Sequence, residues 1–401
     1  MVYLDSGATT KVDPEVIKAM MPYFTEKYGN ASSTHQKGQE AKRTLNDARQ
    51  IIAKSIGAKD EEIIFTSGGT EANNFVLKGI AFANKDKGNR ANHGFALPRE
   101  QGSLGHIITT KIEHDCVLNS CKWLETQGFK VTYLDVDESG FVKPEDLENA
   151  ITPETLLVSI IHGNNEIGTI QNLKELSAVC KKYNVYFHTD ACQSYTKTKL
   201  NVKKQNLDLV TLNSHKIHGP RGVGALYIRK GTNITPLLHG GGQEFGLRSG
   251  TDNVAGVVGF AKAVQLANQK HVEYMTRLRD KLIEGVLKIP DTRLNGPTND
   301  KRLCNNVNVS FKYVEGEAIG GYLDAEEINT STGSACSSPK LEPSHVLLAI
   351  GLKPEQAHGS LRLTISRFTT EQEINRVLDV LPKVIAKLRK MSPLVKFIKK
   401  I

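Results

Sequence analysis

Short runs of apolar and β-branched residues punctuate the first half of the chain: Glu62–Thr66, Gly105–Thr109, Lys130–Leu134, Leu156–Ile160, Val185–Thr189 and Leu207–Thr211. Each has the length and composition of a buried strand. Between several of them apolar positions return with helical spacing, as at Leu173, Leu176, Ala178, Val179 and Cys180 within Leu173–Tyr183. Strand–helix–strand alternation predicts an α/β fold whose large domain has a mainly parallel sheet covered by helices on both faces. From about Val254 the pattern changes to a long helical stretch reaching Leu287, then short strands and a last helix over Glu371–Lys390. Thr369-Thr370 is a helix-start signal for that last helix, and Pro382 is expected to kink it. The chain therefore divides into a large domain, 16–258, and a smaller α/β C-terminal domain made of 1–15 and 259–401. The stretch from Asn84 to Gly105 is rich in Gly, Asn, Lys and Arg and lacks periodicity, which predicts an exposed loop.

A length of 401 residues suits two domains sharing one chain. No apolar stretch is long enough to cross a bilayer, so membrane partners are not expected. The start, Met1-Val2-Tyr3-Leu4-Asp5, lacks the pattern of a secretory signal or a transit peptide, and the expected location is the cytoplasm. The six cysteines show no C-x-x-C spacing, which argues against a zinc or redox pair and for mostly reduced, buried thiols. No intrinsic metal is expected. The formal charge of +9 favours acidic partners, but the lysines are spread along the chain and direct nucleic-acid binding is not expected.

Three strand ends carry candidate chemistry. In Thr211-Leu212-Asn213-Ser214-His215-Lys216 a lysine follows a strand at the sheet edge where ligands bind in open α/β folds, and a lysine there can join an aldehyde cofactor. In Val185-Tyr186-Phe187-His188-Thr189-Asp190 a strand ends in an acid able to keep a pyridine nitrogen protonated. In Phe65-Thr66-Ser67-Gly68-Gly69-Thr70 a strand passes through a Gly-rich turn into a helix, an arrangement that offers N–H groups to a phosphate. That turn matches neither G-x-x-x-x-G-K-[ST] nor G-x-G-x-x-G, which disfavours a nucleoside triphosphate or dinucleotide. Taken singly, each element also reads as a solvated lysine, a helix cap or a plain turn.

From Tyr3-Leu4-Asp5-Ser6-Gly7-Ala8-Thr9-Thr10 to Arg367-Phe368-Thr369-Thr370 the sequence resembles the cysteine desulfurases of class V aminotransferase type, within the fold type I pyridoxal-phosphate enzymes. The resemblance implies that Gly69 and Thr70 bind the phosphate, with His215 and a side chain at Asn213 beside it. It implies that His114 stacks on the ring, that Asn165 and Gln193 contact its phenolic oxygen, and that Asp190 pairs with its nitrogen. Lys216 would hold the aldehyde as a Schiff base. Thr251 would reach the phosphate in the neighbouring subunit, which implies a homodimer. Arg362 would hold the carboxylate of the substrate, L-cysteine, and Asn165 would also contact the substrate.

Cys336 sits in Thr332-Gly333-Ser334-Ala335-Cys336-Ser337-Ser338-Pro339, whose small and polar residues predict a loop rather than a core strand. By the resemblance it receives the substrate sulfur as a persulfide, with His114 as a candidate acid or base. It then passes the sulfur to an iron–sulfur scaffold protein or a tRNA-thiolation carrier, and it could ligate a transient cluster with such a scaffold. In the tail, Leu394, Val395, Ile398 and Ile401 would share one helical face with Lys396, Lys399 and Lys400 off it. That basic amphipathic end is expected to help dock an acidic acceptor.

Overall fold

A computed structural model describes residues 1–85, 104–332 and 342–392. Its main sheet has seven strands in the order Ile63–Thr66, Gly224–Ile228, Leu209–Asn213, Tyr186–Asp190, Thr155–Ser159, His106–Thr110 and Lys130–Leu134. All neighbouring strands are parallel except Gly224–Ile228, which is antiparallel to both of its partners. Alternation along each strand serves two cores. Ile63, Phe65, Ile108, Val158, Val210 and Leu212 join one apolar cluster, while Ile64, Ile107, Leu157, Leu209 and Leu226 join another. Both faces of the sheet are thus covered, as the near-continuous apolar runs require.

The strand Gly224–Ile228 is absent from the sequence reading. Its short apolar run follows a turn rich in Gly and Pro, and its strand character comes from pairing on both edges. The expected continuous helix over 254–287 is two helices, Val254–Leu266 and Gln269–Leu287. Asn268 separates them: its side chain accepts from the His271 N–H at 3.1 Å, a helix-start contact that the apolar periodicity conceals. The last helix spans Glu371–Met391 with Pro382 inside it, and Thr370 and Glu373 form a reciprocal capping box at its start.

A second, antiparallel sheet has the order Ser331–Thr332, Ser360–Thr364, Asn306–Phe311 and Thr292–Leu294. It packs on Leu278, Leu282, Ile374 and Leu381 of the two long helices. The chain start joins this layer: Val2–Tyr3 pairs with Ile328–Asn329, and the Thr364 N–H donates to the Leu4 carbonyl at 2.7 Å. The next residues cross to the large sheet, where the Thr10 N–H donates to the His215 carbonyl at 3.0 Å. One short segment therefore ties Lys216's turn to the sheet that carries Arg362.

Within the large unit, Arg49 of the helix Gln36–Ile56 makes two 2.7 Å bonds to the Glu244 carboxylate, which also accepts from the Phe65 N–H. Both side chains are buried. Removal of either partner would strand the other charge, a loss of about 3–5 kcal/mol for pairs of this kind. The pair braces the strand that leads into the Gly69 turn. No helix among the described residues is long and apolar enough to cross a membrane.

Candidate active site

The carboxyl ends of the central strands open into a cavity of about 220 Å³. Strand Ile63–Thr66 delivers the turn and the helix Gly69–Asn84, whose Gly69 and Thr70 face the cavity. No side chain caps this helix start, so its first N–H groups are available to an anion. A Cβ on Gly69 would sit 2.5 Å from Cys192 Sγ, which is why the helix can approach this closely only with glycine there.

Strand Tyr186–Asp190 ends in a buried carboxylate at the same cavity. Asp190 Oδ1 accepts from the Cys192 N–H at 2.8 Å, and Oδ2 accepts from Asn73 Nδ2 at 2.7 Å. Burial alone would raise its pKa, but these donors outweigh it and hold the group below the usual carboxylate range. Asp190 is therefore an anion facing a partly closed space. Linkage fixes the sign: a depressed native pKa contributes stability above the unfolded value that is lost as the pH falls through the native one.

Lys216 follows strand Leu209–Asn213 and lines the cavity, and its amine makes no hydrogen bond among the described residues. Its positive charge and burial depress His215, whose pKa is lowered to about 4 by burial first and then by Lys216, Arg221 and Lys197. His215 Nδ1 lies 3.2 Å from Thr9 Oγ1. His114, the cap of helix Asp115–Thr126, also lines the cavity, and burial followed by Lys216 lowers its pKa.

Asn165, Gln193, Asn213 and Arg362 complete the convergence. Gln193 Nε2 donates to the Gly7 carbonyl at 2.8 Å. Arg362 is buried; Nη2 donates to Asp5 Oδ1 at 3.0 Å and Nη1 to the Asn165 carbonyl at 3.2 Å, while Nε has no partner among the described residues. Asn73, Asn165 and Asn213 each leave a buried Oδ1 without a partner among the described residues. Thr251 does not line this cavity and is exposed. Cys336 lies outside the described residues, as do most of the expected 84–105 loop and the tail from residue 393.

Asn73, Cys116, Cys192 and the Gly7-Ala8 pair also line the cavity, and the sequence reading assigned them no part in it. Asn73 stands one helical turn after Thr70, a spacing that could have flagged it. Cys116, two residues beyond His114, carried no such signal.

Asn165 and Asn213 line the cavity with amide groups whose buried oxygens have no partner among the described residues, so these amides retain unused bonding capacity there. Together with an ionised carboxylate, a free amine and an uncapped helix start, they fit a ligand with a phosphate, a basic ring nitrogen and an aldehyde. Pyridoxal phosphate has this make-up, and the residues present suit it. The chain is thereby placed in the class of pyridoxal-phosphate enzymes with a large, mainly parallel sheet.

Comparison with known proteins narrows the class. The family model for aminotransferase class-V matches residues 2–377. A cysteine desulfurase IscS of Methanosarcina thermophila is 52% identical over 397 residues, covering 98% of this chain and 94% of the relative. A solved NifS-like protein superimposes with a TM-score of 0.86 at 38% identity, covering 96% of this chain and all of the other. A structure of SspA in complex with cysteine gives a TM-score of 0.80 at 35% identity, covering 92% of this chain and 100% of that one. The chain belongs to the aminotransferase class-V family and, within it, to the cysteine desulfurases.

Proposed function

We propose that this enzyme removes sulfur from L-cysteine, releasing L-alanine and leaving a persulfide on Cys336. The observation that carries the reading is the ionised Asp190 in one cavity with the free amine of Lys216 and the buried guanidinium of Arg362. Bound pyridoxal phosphate supplies an electron sink for the substrate's α-carbon. With the cofactor bound, Asp190 would hold the proton on the ring nitrogen, and the N–H groups at Gly69 and Thr70 would hold the phosphate, with His215 and Asn213 beside it. Asn165 and Gln193 address the phenolic oxygen.

Arg362 binds the substrate carboxylate, its guanidinium oriented by Asp5 and the Asn165 carbonyl. Lys216 would hold the cofactor aldehyde, and its amine is the group placed to take the substrate's α-proton. Cys336 then attacks the substrate sulfur as the thiolate: the S–S bond forms, the C–S bond breaks, and its electron pair passes to the carbon skeleton that becomes alanine. The flanks of the Cys336 segment support this assignment. Ser331 pairs with Arg362 on one side; on the other, Ser344 Oγ donates to Glu166 beside Asn165, and His345 Nε2 donates to the Glu113 carbonyl beside His114.

On this reading, residues 16–258 form the cofactor-binding unit, and 1–15 with 259–401 form the unit that presents Cys336. The persulfide sulfur goes to an iron–sulfur scaffold protein or a tRNA-thiolation carrier, with the basic tail as part of the docking surface. Incubation with L-cysteine and a chemical reductant is expected to yield alanine and sulfide in equal amounts. Pyruvate and ammonia in place of alanine would contradict the reaction.

We also infer a homodimer in which the exposed Thr251 reaches the phosphate in the partner's site. Thr251→Ala is expected to weaken cofactor retention by about tenfold, the worth of one hydrogen bond to a charged group, with an unchanged circular dichroism spectrum. Sedimentation that shows a fully active monomer would rule the arrangement out.

A further inference from the structure

Cys116 stands at a junction of the cavity wall that the mechanism above does not use. Its Sγ lies 3.1 Å from His114 Nδ1, and Asn73 Nδ2 donates to the same sulfur at 3.2 Å. The other hydrogen bond of Asn73 goes to Asp190. The backbone N–H of Cys116 also donates to His114 Nδ1, at 3.2 Å. A backbone N–H can only donate, so Nδ1 must present its lone pair and the neutral ring must carry its proton on Nε2. With Asn73 donating to the sulfur, the thiol hydrogen is free to point at the same Nδ1. Nε2 makes no hydrogen bond among the described residues, in a side chain that lines the cavity.

We propose that the Cys116 thiol is a positioning group for His114, adding to the backbone N–H a second donor at Nδ1 that keeps the imidazole neutral in its Nε2–H form, so that the ring donates into the cavity rather than accepting from it. This rests on the desulfurase reading for what the donated proton does, namely to meet the substrate's sulfur or a cofactor oxygen. It does not rest on that reading for the tautomer itself. The thiol suits the task because it stays protonated: burial first, then Asp190, pushes Cys116 up to about 12. The groups acting on His114 are Lys216, Asp190, Asp115 and His345. Burial and Lys216 hold its pKa below that of a free histidine, and protonation at Nδ1 would break both contacts from Cys116.

The test uses the full-length enzyme with bound pyridoxal phosphate and ¹⁵N-labelled histidine, with His114 assigned from the His114→Gln spectrum. Wild type and Cys116→Ser are expected to show the Nε2–H pattern across neutral pH, because a hydroxyl also donates to Nδ1. Cys116→Ala keeps the backbone N–H donor but loses the thiol, and is expected to raise the His114 pKa, so that the charged ring appears at a pH where the wild-type ring is still neutral. The same variant should lower kcat for alanine formation by roughly tenfold with KM for cysteine changed by less than about twofold, and Cys116→Ser should restore most of the loss. An unchanged His114 pKa in Cys116→Ala, or an Nδ1–H pattern in wild type or in Cys116→Ser, would overturn the proposal. Absence of alanine formation in wild type would instead count against the desulfurase reading, and the tautomer spectra would still decide the role of Cys116.

Discussion

Lys216→Ala is expected to abolish covalent attachment of pyridoxal phosphate and to lower alanine formation by roughly 10³-fold or more, since one group supplies both the anchoring amine and the α-proton base. Lys216 is the lysine after strand Leu209–Asn213, and among the described residues it is the only lysine that lines the cavity. The half-buried Lys197 points its amine instead to the backbone carbonyls of Gln193 and Lys216, at 2.9 and 3.1 Å. It is therefore committed to holding the two turns together and cannot substitute. Borohydride reduction of wild type followed by peptide mapping should place the pyridoxyl label on Lys216. The variant should keep weak, reversible cofactor binding through the helix start and Asp190. Label on Lys197 or any other lysine would refute the assignment.

Cys336→Ser is expected to leave cofactor and cysteine binding within about twofold while reducing alanine formation on the order of 100-fold or more, because a hydroxyl at neutral pH is a far weaker nucleophile than a thiolate. On the proposed function the test separates two steps that depend on different residues, with Arg362, Asn165 and Asp190 assigned to binding and Cys336 to sulfur abstraction. The other cysteines make poor substitutes. Cys121, Cys180, Cys192 and Cys304 are buried free thiols, and burial raises the pKa of each. Cys116 is held near 12 by the same cause. Spectral titration with cysteine combined with alanine quantitation should show saturation without turnover. Near-normal turnover in the variant would transfer the role to another thiol.

The local pattern was enough to reveal most of the scaffold. Runs of β-branched residues end at Thr66, Asp190 and Asn213, and each of those ends leads into a residue of the cavity: Gly69, Asp190 itself and Lys216. Chain order and the resemblance supplied Asn165, His114 and Arg362, and the cavity contains all three. This much was legible because a strand's burial and a turn's composition depend on residues next to one another in sequence.

Only tertiary structure could decide the rest. The antiparallel strand Gly224–Ile228 exists because neighbours from 63–66 and 209–213 hold both its edges. Asn73, Cys116 and Asp190 form one hydrogen-bonded group across 117 positions of sequence. Asp5, from the chain's first residues, orients Arg362 from a separation of 357. No periodicity encodes such meetings, since each depends on where separate elements come to rest once their apolar faces are buried, whereas a helix or strand needs only its own residues to be recognised.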